Sequence, residues 1–149
     1  MGRWPKMLES VLLSHNHSFE FEPMQGSTPF QTLLNETDPE LVTFELDVFW
    51  VTHTGNDPVE LIKKHKGRFK LLHLKDLRKN APASYKTMET PAEDFEEVGQ
   101  GSIDFARLLK TASKEGVVNC YVEQDQNHIN GDALASLKTS FEHLKQVNL

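Results

Sequence analysis

The stretch Phe69-Lys70-Leu71-Leu72-His73-Leu74-Lys75-Asp76 decides how the rest of the chain is interpreted. Its apolar residues predict a buried strand that becomes polar at His73. Two further predicted strands end in the same way, residues 41–47 at an aspartate and residues 117–123 at a glutamate. Side chains at the carboxyl ends of parallel strands converge on one face of an α/β protein, where ligands bind. The sequence therefore predicts a functional site at that face.

Helix signals alternate with these strands. Thr28-Pro29 and Asp57-Pro58 each place a capping side chain before a proline at the first helical position. We expect a third helix that is capped by Ser102 and ends at Gly116, and a last helix with a buried apolar stripe of Leu134, Leu137, Phe141, Leu144 and Val147. This alternation predicts an α/β fold of four consecutive βα units with parallel strands.

The chain has 149 residues, enough for one domain with a hydrophobic core. We divide it into an N-terminal extension at residues 1–10, the βα units, and a long irregular loop at residues 77–101 after the third strand. A loop of that length in a compact domain is usually functional or disordered.

Composition excludes several classes of protein. The formal net charge is −6 and no run of Lys or Arg exceeds two residues, which argues against binding to nucleic acid or to an anionic membrane. No apolar stretch is long enough to span a bilayer, and residues 1–10 lack the apolar core of a signal peptide, so we expect a cytoplasmic protein. The single cysteine, Cys120, excludes a disulfide framework and is expected to be a buried, inert strand thiol.

Four predicted strands in succession end in residues that can bind a metal. A brief apolar run at residues 11–13 leads to His15, and Asp47, His73 and Glu123 end the others. One such residue alone is usually a helix cap or a packing residue, whereas four in succession indicate a functional site. Oxygen ligands with imidazole suit one divalent ion such as Mn²⁺, Mg²⁺, Co²⁺ or Zn²⁺. Such an ion can polarise a sugar carbonyl while a carboxylate, for which Glu123 is suited, moves a proton.

The chain also carries an ordered series of motifs that resembles the sugar phosphate isomerase/epimerase family of xylose-isomerase-like TIM barrels. The resemblance covers residues 11–147 and rests on His15-Asn16-His17 followed by Phe19-Glu20-Phe21, Phe44-Glu45-Leu46-Asp47, Leu72-His73-Leu74-Lys75-Asp76, Gly99-Gln100-Gly101-Ser102-Ile103-Asp104-Phe105, and Tyr121-Val122-Glu123-Gln124-Asp125. It implies a (βα)₈ barrel, of which this chain resembles the C-terminal half.

The resemblance implies a metal held by Glu, Asp, His and Glu at successive strand ends. Asp47, His73 and Glu123 match the last three positions. At the first position many relatives carry a glutamate where this chain has His15, so either His15 binds the metal or Glu20 reaches back to it. We favour Glu20, because the proton-transfer pair of the family is two glutamates. The expected metal ligands are therefore Glu20, Asp47, His73 and Glu123, with Glu123 and Glu20 as the catalytic pair.

The expected substrate contacts are His15, His17, Trp50 and Lys75. Trp50 stands where relatives usually have a histidine, which weakens a nuclease interpretation and would let the indole stack on a sugar. The turn Gly99-Gln100-Gly101 has two possible roles. Its position suits contact with substrate or phosphate, or its glycines only allow the tight backbone geometry that precedes a helix.

The resemblance implies a metal-dependent isomerase or epimerase that acts on a sugar or sugar phosphate by proton transfer next to a carbonyl. The alternatives are a keto-inositol-type dehydratase using the same site, or a catalytically inactive half barrel acting as a binding or assembly module. A full barrel typically needs about 250 residues, and an isolated half would expose unpaired strand edges and an apolar face. We therefore expect either a homo-oligomer that completes a barrel-like core or a truncated product.

Overall fold

A computed structural model describes residues 12–148 and contains six strands. The expected extension at residues 1–10 lies outside this range. The strands are β1 Leu12–His15, β2 Val42–Asp47, β3 Phe69–Leu74, β4 Asp76–Leu77, β5 Phe95–Glu96 and β6 Asn119–Val122. Four of them form one parallel sheet in the order β1-β2-β3-β6. The predicted α/β fold of four parallel βα units is confirmed.

Five α-helices accompany the strands: α1 Pro29–Glu36, α2 Val48–His53, α3 Pro58–Lys64, α4 Phe105–Glu115 and α5 Ala133–Gln146. The predicted caps at Thr28 and Asp57 are present, and Gly116 ends α4 in the left-handed conformation. Ser102 is not the cap of α4, because Asp104 accepts the hydrogen bond from the Arg107 N–H. An aspartate closer to the first turn satisfies that donor directly.

Two short helices differ from the sequence-based expectation. Helix α2 follows β2 without a loop, and its apolar sequence gives no helical periodicity because both of its sides are buried. Ser18–Phe21 forms a 3₁₀ helix, for which the sequence gives no clear signal, and a hydrogen bond from the His17 N–H to Glu20 holds its first turn.

The two faces of the parallel sheet differ in chemistry. Phe44, Leu46 and Leu72 point into the hydrophobic core beneath the helices and are fully buried. Because side chains alternate along a strand, the residues between them lie on the opposite face. In the register of the sheet, His15 pairs with Glu45 and Asp47 pairs with His73. Polar side chains of β1, β2 and β3 are thus gathered on one face near the carboxyl ends of the strands.

The segment at residues 77–101 is more ordered than the predicted irregular loop. Strands β4 and β5 pair antiparallel, and Thr87–Glu89 and Ala92–Asp94 are 3₁₀ helices. Phe49 and Trp50 of α2 pack with Leu77 and Phe95 in a second small apolar cluster. These buried aromatic contacts stabilise a segment whose sequence lacks the hydrophobic periodicity of a long helix or strand.

The predicted buried stripe of α5 is wrong for Leu134, Leu137 and Phe141, whereas Leu144 is partly buried and packs against the core. Leu134 is 76% exposed and Phe141 is 58% exposed, whereas Ser136 and Ser140 are fully buried. The serine hydroxyls accept hydrogen bonds from the Ile129 and Val98 N–H groups, and small side chains let the helix approach closely. The helix is therefore rotated toward partners that need hydrogen bonds, and part of its apolar face is left open.

The expectation that Cys120 is buried is also wrong, because its side chain is exposed on β6. Strand β6 pairs with β3 on one side and forms an edge of the described sheet on the other. A strand at an edge exposes side chains that a neighbouring strand would otherwise cover. Within residues 12–148, no helix is long and apolar enough to cross a membrane.

Cys120 should therefore react with a maleimide in the folded chain nearly as fast as in urea. The physical reason is the open edge of β6, and the measurement is the labelling rate followed by mass spectrometry. Labelling that slows as the protein concentration rises would indicate that a second copy covers this edge. A thiol that is protected at every concentration would contradict the described position of β6.

Candidate metal centre

The two carboxylate oxygens of Asp47 have different roles, one in capping helix α2 and one in the polar cluster. Its Oδ1 caps α2 by accepting hydrogen bonds from the N–H groups of Phe49 and Trp50 at 3.0 and 3.2 Å. Its Oδ2 is buried and has no partner with hydrogen-bond geometry among the described residues. The helix cap therefore holds the carboxylate in one orientation, with the second oxygen facing the polar side of the sheet.

Three side chains meet at that second oxygen. His73 Nδ1, which also lacks a partner with hydrogen-bond geometry, lies 3.8 Å from Asp47 Oδ2 and 3.1 Å from Glu123 Oε2. Asp47, His73 and Glu123 each offer one ligand atom within the span of a single ion. Neither buried atom has a neighbour with good hydrogen-bond geometry, although Lys75 Nζ forms an ion pair with Asp47 Oδ2 at 3.0 Å. Their convergence fits a divalent cation, which carboxylate and imidazole ligands bind well.

Glu45 joins a second group of potential ligand atoms with His15 and His73. Its Oε2 lies 3.3 Å from His15 Nδ1, and its Oε1 lies 3.3 Å from His73 Nε2. The predicted site residues lack Glu45. Its signal in the sequence is the period of two in β2, which places Glu45 on the same face as Asp47.

Lys75 is a buried cation among the carboxylates. Its Nζ lies 3.0 Å from Asp47 Oδ2, 2.6 Å from Glu123 Oε2 and 2.7 Å from Asp125 Oδ2. Burial opposes its charge, but these carboxylates outweigh burial and raise the pKa of Lys75. Lys75 is therefore protonated at neutral pH and partly neutralises the carboxylates of Asp47, Glu123 and Asp125, while Glu45 contacts the two histidines.

The acids of the cluster are perturbed in opposite directions. Burial raises the pKa of Asp47 to about 6, although Lys75 opposes the shift. The pKa of Glu123 is lowered to about 2 by the neighbouring His73 and, against burial, by Lys75. The pKa of His73 is raised mainly by Glu123. One ammonium among four carboxylates leaves an excess of negative charge, which a divalent ion would offset.

The structure does not bring Glu20 into this cluster. Its Oε2 accepts a hydrogen bond from the backbone N–H of His17 at 2.6 Å, in the 3₁₀ helix that follows β1. Burial raises the pKa of Glu20, and that hydrogen bond only partly opposes the rise. His15, the alternative first ligand, has its Nε2 at 3.7 Å from Asp47 Oδ2. The role predicted for Glu20 stays a prediction, while the geometry favours His15.

A cavity of about 280 Å³ opens above the cluster. The four residues predicted to contact substrate all line it, together with Glu123: His15, His17, Trp50 and Lys75. Its opposite wall includes Thr87 and Met88 from the segment after β4. This size is near the lower end of the range for small-molecule sites, about 300–1,000 Å³. Aromatic and charged groups on one wall suit a small polar molecule with apolar C–H faces.

The turn Gly99-Gln100-Gly101 is occupied by a protein carboxylate. Asp76 Oδ2 accepts hydrogen bonds from the N–H groups of Gly99 and Gly101, each at 2.9 Å, and its Oδ1 accepts from Leu77 and Ile103. A Cβ atom at Gly101 would collide with Asp76 and with the Leu77 carbonyl. These donors already have an anionic partner, so the structure favours the tight-approach interpretation of the glycines over a phosphate site.

The chain is similar to part of proteins that are named inosose dehydratase or sugar phosphate isomerase/epimerase. It is 31% identical over 139 residues to an inosose dehydratase of Clostridium botulinum, which is 87% of this chain and 46% of that relative. A solved sugar phosphate isomerase/epimerase of Parabacteroides distasonis superposes with a TM-score of 0.71 at 28% identity, covering 91% of this chain and 44% of the other. No protein-family model matches the chain.

A third relative shares the fold at lower identity. The IolI protein, solved with a zinc atom, superposes with a TM-score of 0.60 at 20% identity over 80% of this chain. The chain spans about half the length of the curated relatives and solved barrels that it matches. The resemblance to part of a xylose-isomerase-like TIM barrel is confirmed.

Proposed function

Since its relatives are TIM-barrel sugar phosphate isomerases/epimerases and inosose dehydratases, matched over about half of their length, we propose that this chain carries the metal-binding part of an active site that acts on a keto sugar or keto-cyclitol. The reaction we propose is removal of a proton from the carbon next to the carbonyl. The observation that supports it most directly is the convergence of Asp47 Oδ2 and His73 Nδ1, two buried ligand-type atoms, beside Glu123.

Asp47, His73 and Glu123 would hold one divalent ion of the group Mn²⁺, Mg²⁺, Co²⁺ and Zn²⁺. When bound, such an ion polarises the carbonyl and makes the neighbouring C–H bond more acidic. The fit depends on the donor set and its charge, because three carboxylates face Lys75 and a fourth, Glu45, faces His73.

Glu123 is our candidate general base. It is ionised at neutral pH, its side chain is 39% exposed, and it lines the cavity, so it can reach a bound substrate. Lys75 beside it is protonated and can donate hydrogen bonds to an oxygen that gains negative charge. Trp50 lies 5.5 Å from Lys75 Nζ on the cavity wall, where an indole ring can pack against the C–H face of a sugar ring.

Dehydration is a second candidate outcome of the same proton removal. Epimerisation needs an acid–base group on each side of the carbon, and within the described chain Glu20 does not supply the second glutamate at the cluster. Elimination of water needs one base and a group that assists the leaving hydroxyl, roles that suit Glu123 and Lys75. The curated relatives named inosose dehydratase agree with this outcome. Because Asp76 occupies the glycine turn, we favour an unphosphorylated substrate.

The test is proton exchange in D₂O, with the chain loaded with Mn²⁺ or Zn²⁺ and given a keto-inositol or a ketohexose. We expect NMR to show deuterium at the carbon next to the carbonyl, followed by loss of water or by an epimer. Glu123→Gln should slow exchange about 10²–10⁴-fold, as removal of a general base does. Glu20→Gln is the matched control and should exchange at the wild-type rate.

Two results would redirect this proposal. A loss of exchange in Glu20→Gln comparable to that in Glu123→Gln would restore the two-glutamate pair. Tight metal binding without any exchange would support the inactive binding module instead.

A further inference from the structure

Glu45 contacts two imidazoles at once, through opposite ring nitrogens. Its Oε2 faces Nδ1 of His15 and its Oε1 faces Nε2 of His73, both at 3.3 Å. The Glu45 side chain is 11% exposed, so water competes little for its oxygens. A neutral imidazole donates from one nitrogen and accepts at the other, and its hydrogen-bond partner decides which.

The two nitrogens that do not face Glu45 point to one atom. His15 Nε2 lies 3.7 Å from Asp47 Oδ2, and His73 Nδ1 lies 3.8 Å from the same oxygen. Ligand atoms bound to one ion at about 2.0–2.2 Å are separated by roughly 3–4 Å. Both nitrogens therefore lie near Asp47 Oδ2, but His15 is not among the three residues, Asp47, His73 and Glu123, whose ligand atoms all lie within 4.8 Å of one another, so its ring would have to move closer to bind the same ion.

We infer that Glu45 is a positioning residue that sets opposite tautomers in His15 and His73, and that His15 Nε2 is the fourth metal ligand. His15 then donates its Nδ1–H to Glu45, and His73 donates its Nε2–H to the same carboxylate. Both unprotonated nitrogens face the ion. A carboxylate behind a ligating histidine is a common way to fix the ring and strengthen the ligand.

This inference rests on the proposed metal site and replaces the expected glutamate with a histidine. Glu20 is unsuited to that position because its carboxylate is bonded to the His17 N–H. The neighbouring rings of His15 and His73 have centroids 4.6 Å apart at an angle of 61°, so each ring limits the rotation of the other. The resulting donor set has two imidazoles and two carboxylates, Asp47 and Glu123.

The experiment is ¹⁵N NMR of the chain with labelled histidines, read by long-range ¹H–¹⁵N correlation with and without Zn²⁺. Single substitutions of His15 and His73 assign their signals among the seven histidines. Above the histidine titration range the metal-free protein should show Nδ1–H in His15. His73 faces a carboxylate at each nitrogen, Glu45 at Nε2 and Glu123 at Nδ1, so it should be fixed as Nε2–H only when zinc occupies Nδ1. On zinc addition, the shifts should change at His15 Nε2 and His73 Nδ1.

Glu45→Gln is the decisive variant, because a carboxamide offers one acceptor oxygen where two imidazoles need one each. We expect at least one histidine to lose its fixed tautomer and zinc affinity to fall about 10–100-fold. Glu22→Gln is the matched control, because Glu22 is exposed and belongs to neither group of potential ligands in the described chain, and it should leave both tautomers and the affinity unchanged. His15→Ala should weaken zinc binding at least as much as Glu45→Gln does.

Several outcomes would overturn the inference without affecting the proposed metal site. Zinc that shifts His73 but not His15 would exclude His15 as a ligand. If a second equivalent of zinc changes the ¹⁵N shift of His73 Nε2, which faces Glu45, then Glu45 is a metal ligand rather than a positioning residue. If the wild-type chain binds no zinc, the proposed function fails, whereas the tautomers of the metal-free protein still test the role of Glu45.

Discussion

An Asp47→Asn variant is expected to keep its fold but to bind zinc more than about 100-fold more weakly. Loss of a residue that only supports a metal ligand costs at most about 100-fold, and Asp47 would be a ligand itself. Asparagine is a good helix cap, so its side-chain oxygen can still accept from the Phe49 and Trp50 N–H groups. The amide nitrogen then replaces Oδ2. It is no metal ligand, and as a donor it faces Lys75 Nζ, which lies 3.0 Å from Oδ2 in the wild type.

Isothermal titration with Zn²⁺ or Mn²⁺ measures this loss, and circular dichroism monitors the fold. Asp125→Asn is the matched control, because Asp125 contacts Lys75 but belongs to neither group of potential ligands in the described chain. Its affinity should stay within a few-fold of wild type. Equal losses in the two variants would mean that total negative charge, rather than ligation by Asp47, determines binding.

Asp47→Ala separates the two roles of this residue. It removes both oxygens, so we expect the same loss of metal affinity together with a loss of about 0.5–2 kcal/mol in the free energy of unfolding from the missing cap.

The second large effect is expected at Asp76. Asp76→Ala should lower the free energy of unfolding by more than about 3 kcal/mol, because four backbone donors lose their acceptor and each unsatisfied buried donor costs about 1–3 kcal/mol. Those donors are the N–H groups of Leu77, Gly99, Gly101 and Ile103. The carboxylate is fully buried, so water replaces it poorly. Urea denaturation measures the change.

Asp132→Ala is a control of the same chemistry at an exposed position. Asp132 caps α5 by accepting from the Leu134 and Ala135 N–H groups, and water can replace it there. Its loss should cost only about 1 kcal/mol. Gly101→Ala should destabilise in the same direction as Asp76→Ala, because the added Cβ meets Asp76 and the Leu77 carbonyl. Equal effects of the Asp76 and Asp132 substitutions would show that the turn does not depend on Asp76.

Much of the fold could be read from local patterns. The strand of residues 69–74, the caps at Thr28 and Asp57 and the helix end at Gly116 follow from neighbouring residues alone, and all are present. Helix α2 could not be predicted, because burial on several sides removes the period of an amphipathic helix. The buried face of α5 could not be predicted for a different reason: it is set by hydrogen bonds to Ser136 and Ser140 rather than by its apolar residues. The direction of α5 depends on Val98, which is distant in sequence and donates to Ser140.

The candidate site likewise has a part that the sequence predicts and a part that only the structure shows. The sequence by itself determined that His15, Asp47, His73 and Glu123 meet, because parallel strands must bring their carboxyl ends to one edge of a sheet. Only the tertiary structure decided what each atom does there. The cap of α2 uses one oxygen of Asp47 and turns the other toward Lys75 and His73, Asp76 occupies the glycine turn, and Glu45 links His15 to His73. These assignments depend on distances between atoms of different strands and turns, which no spacing along one segment encodes.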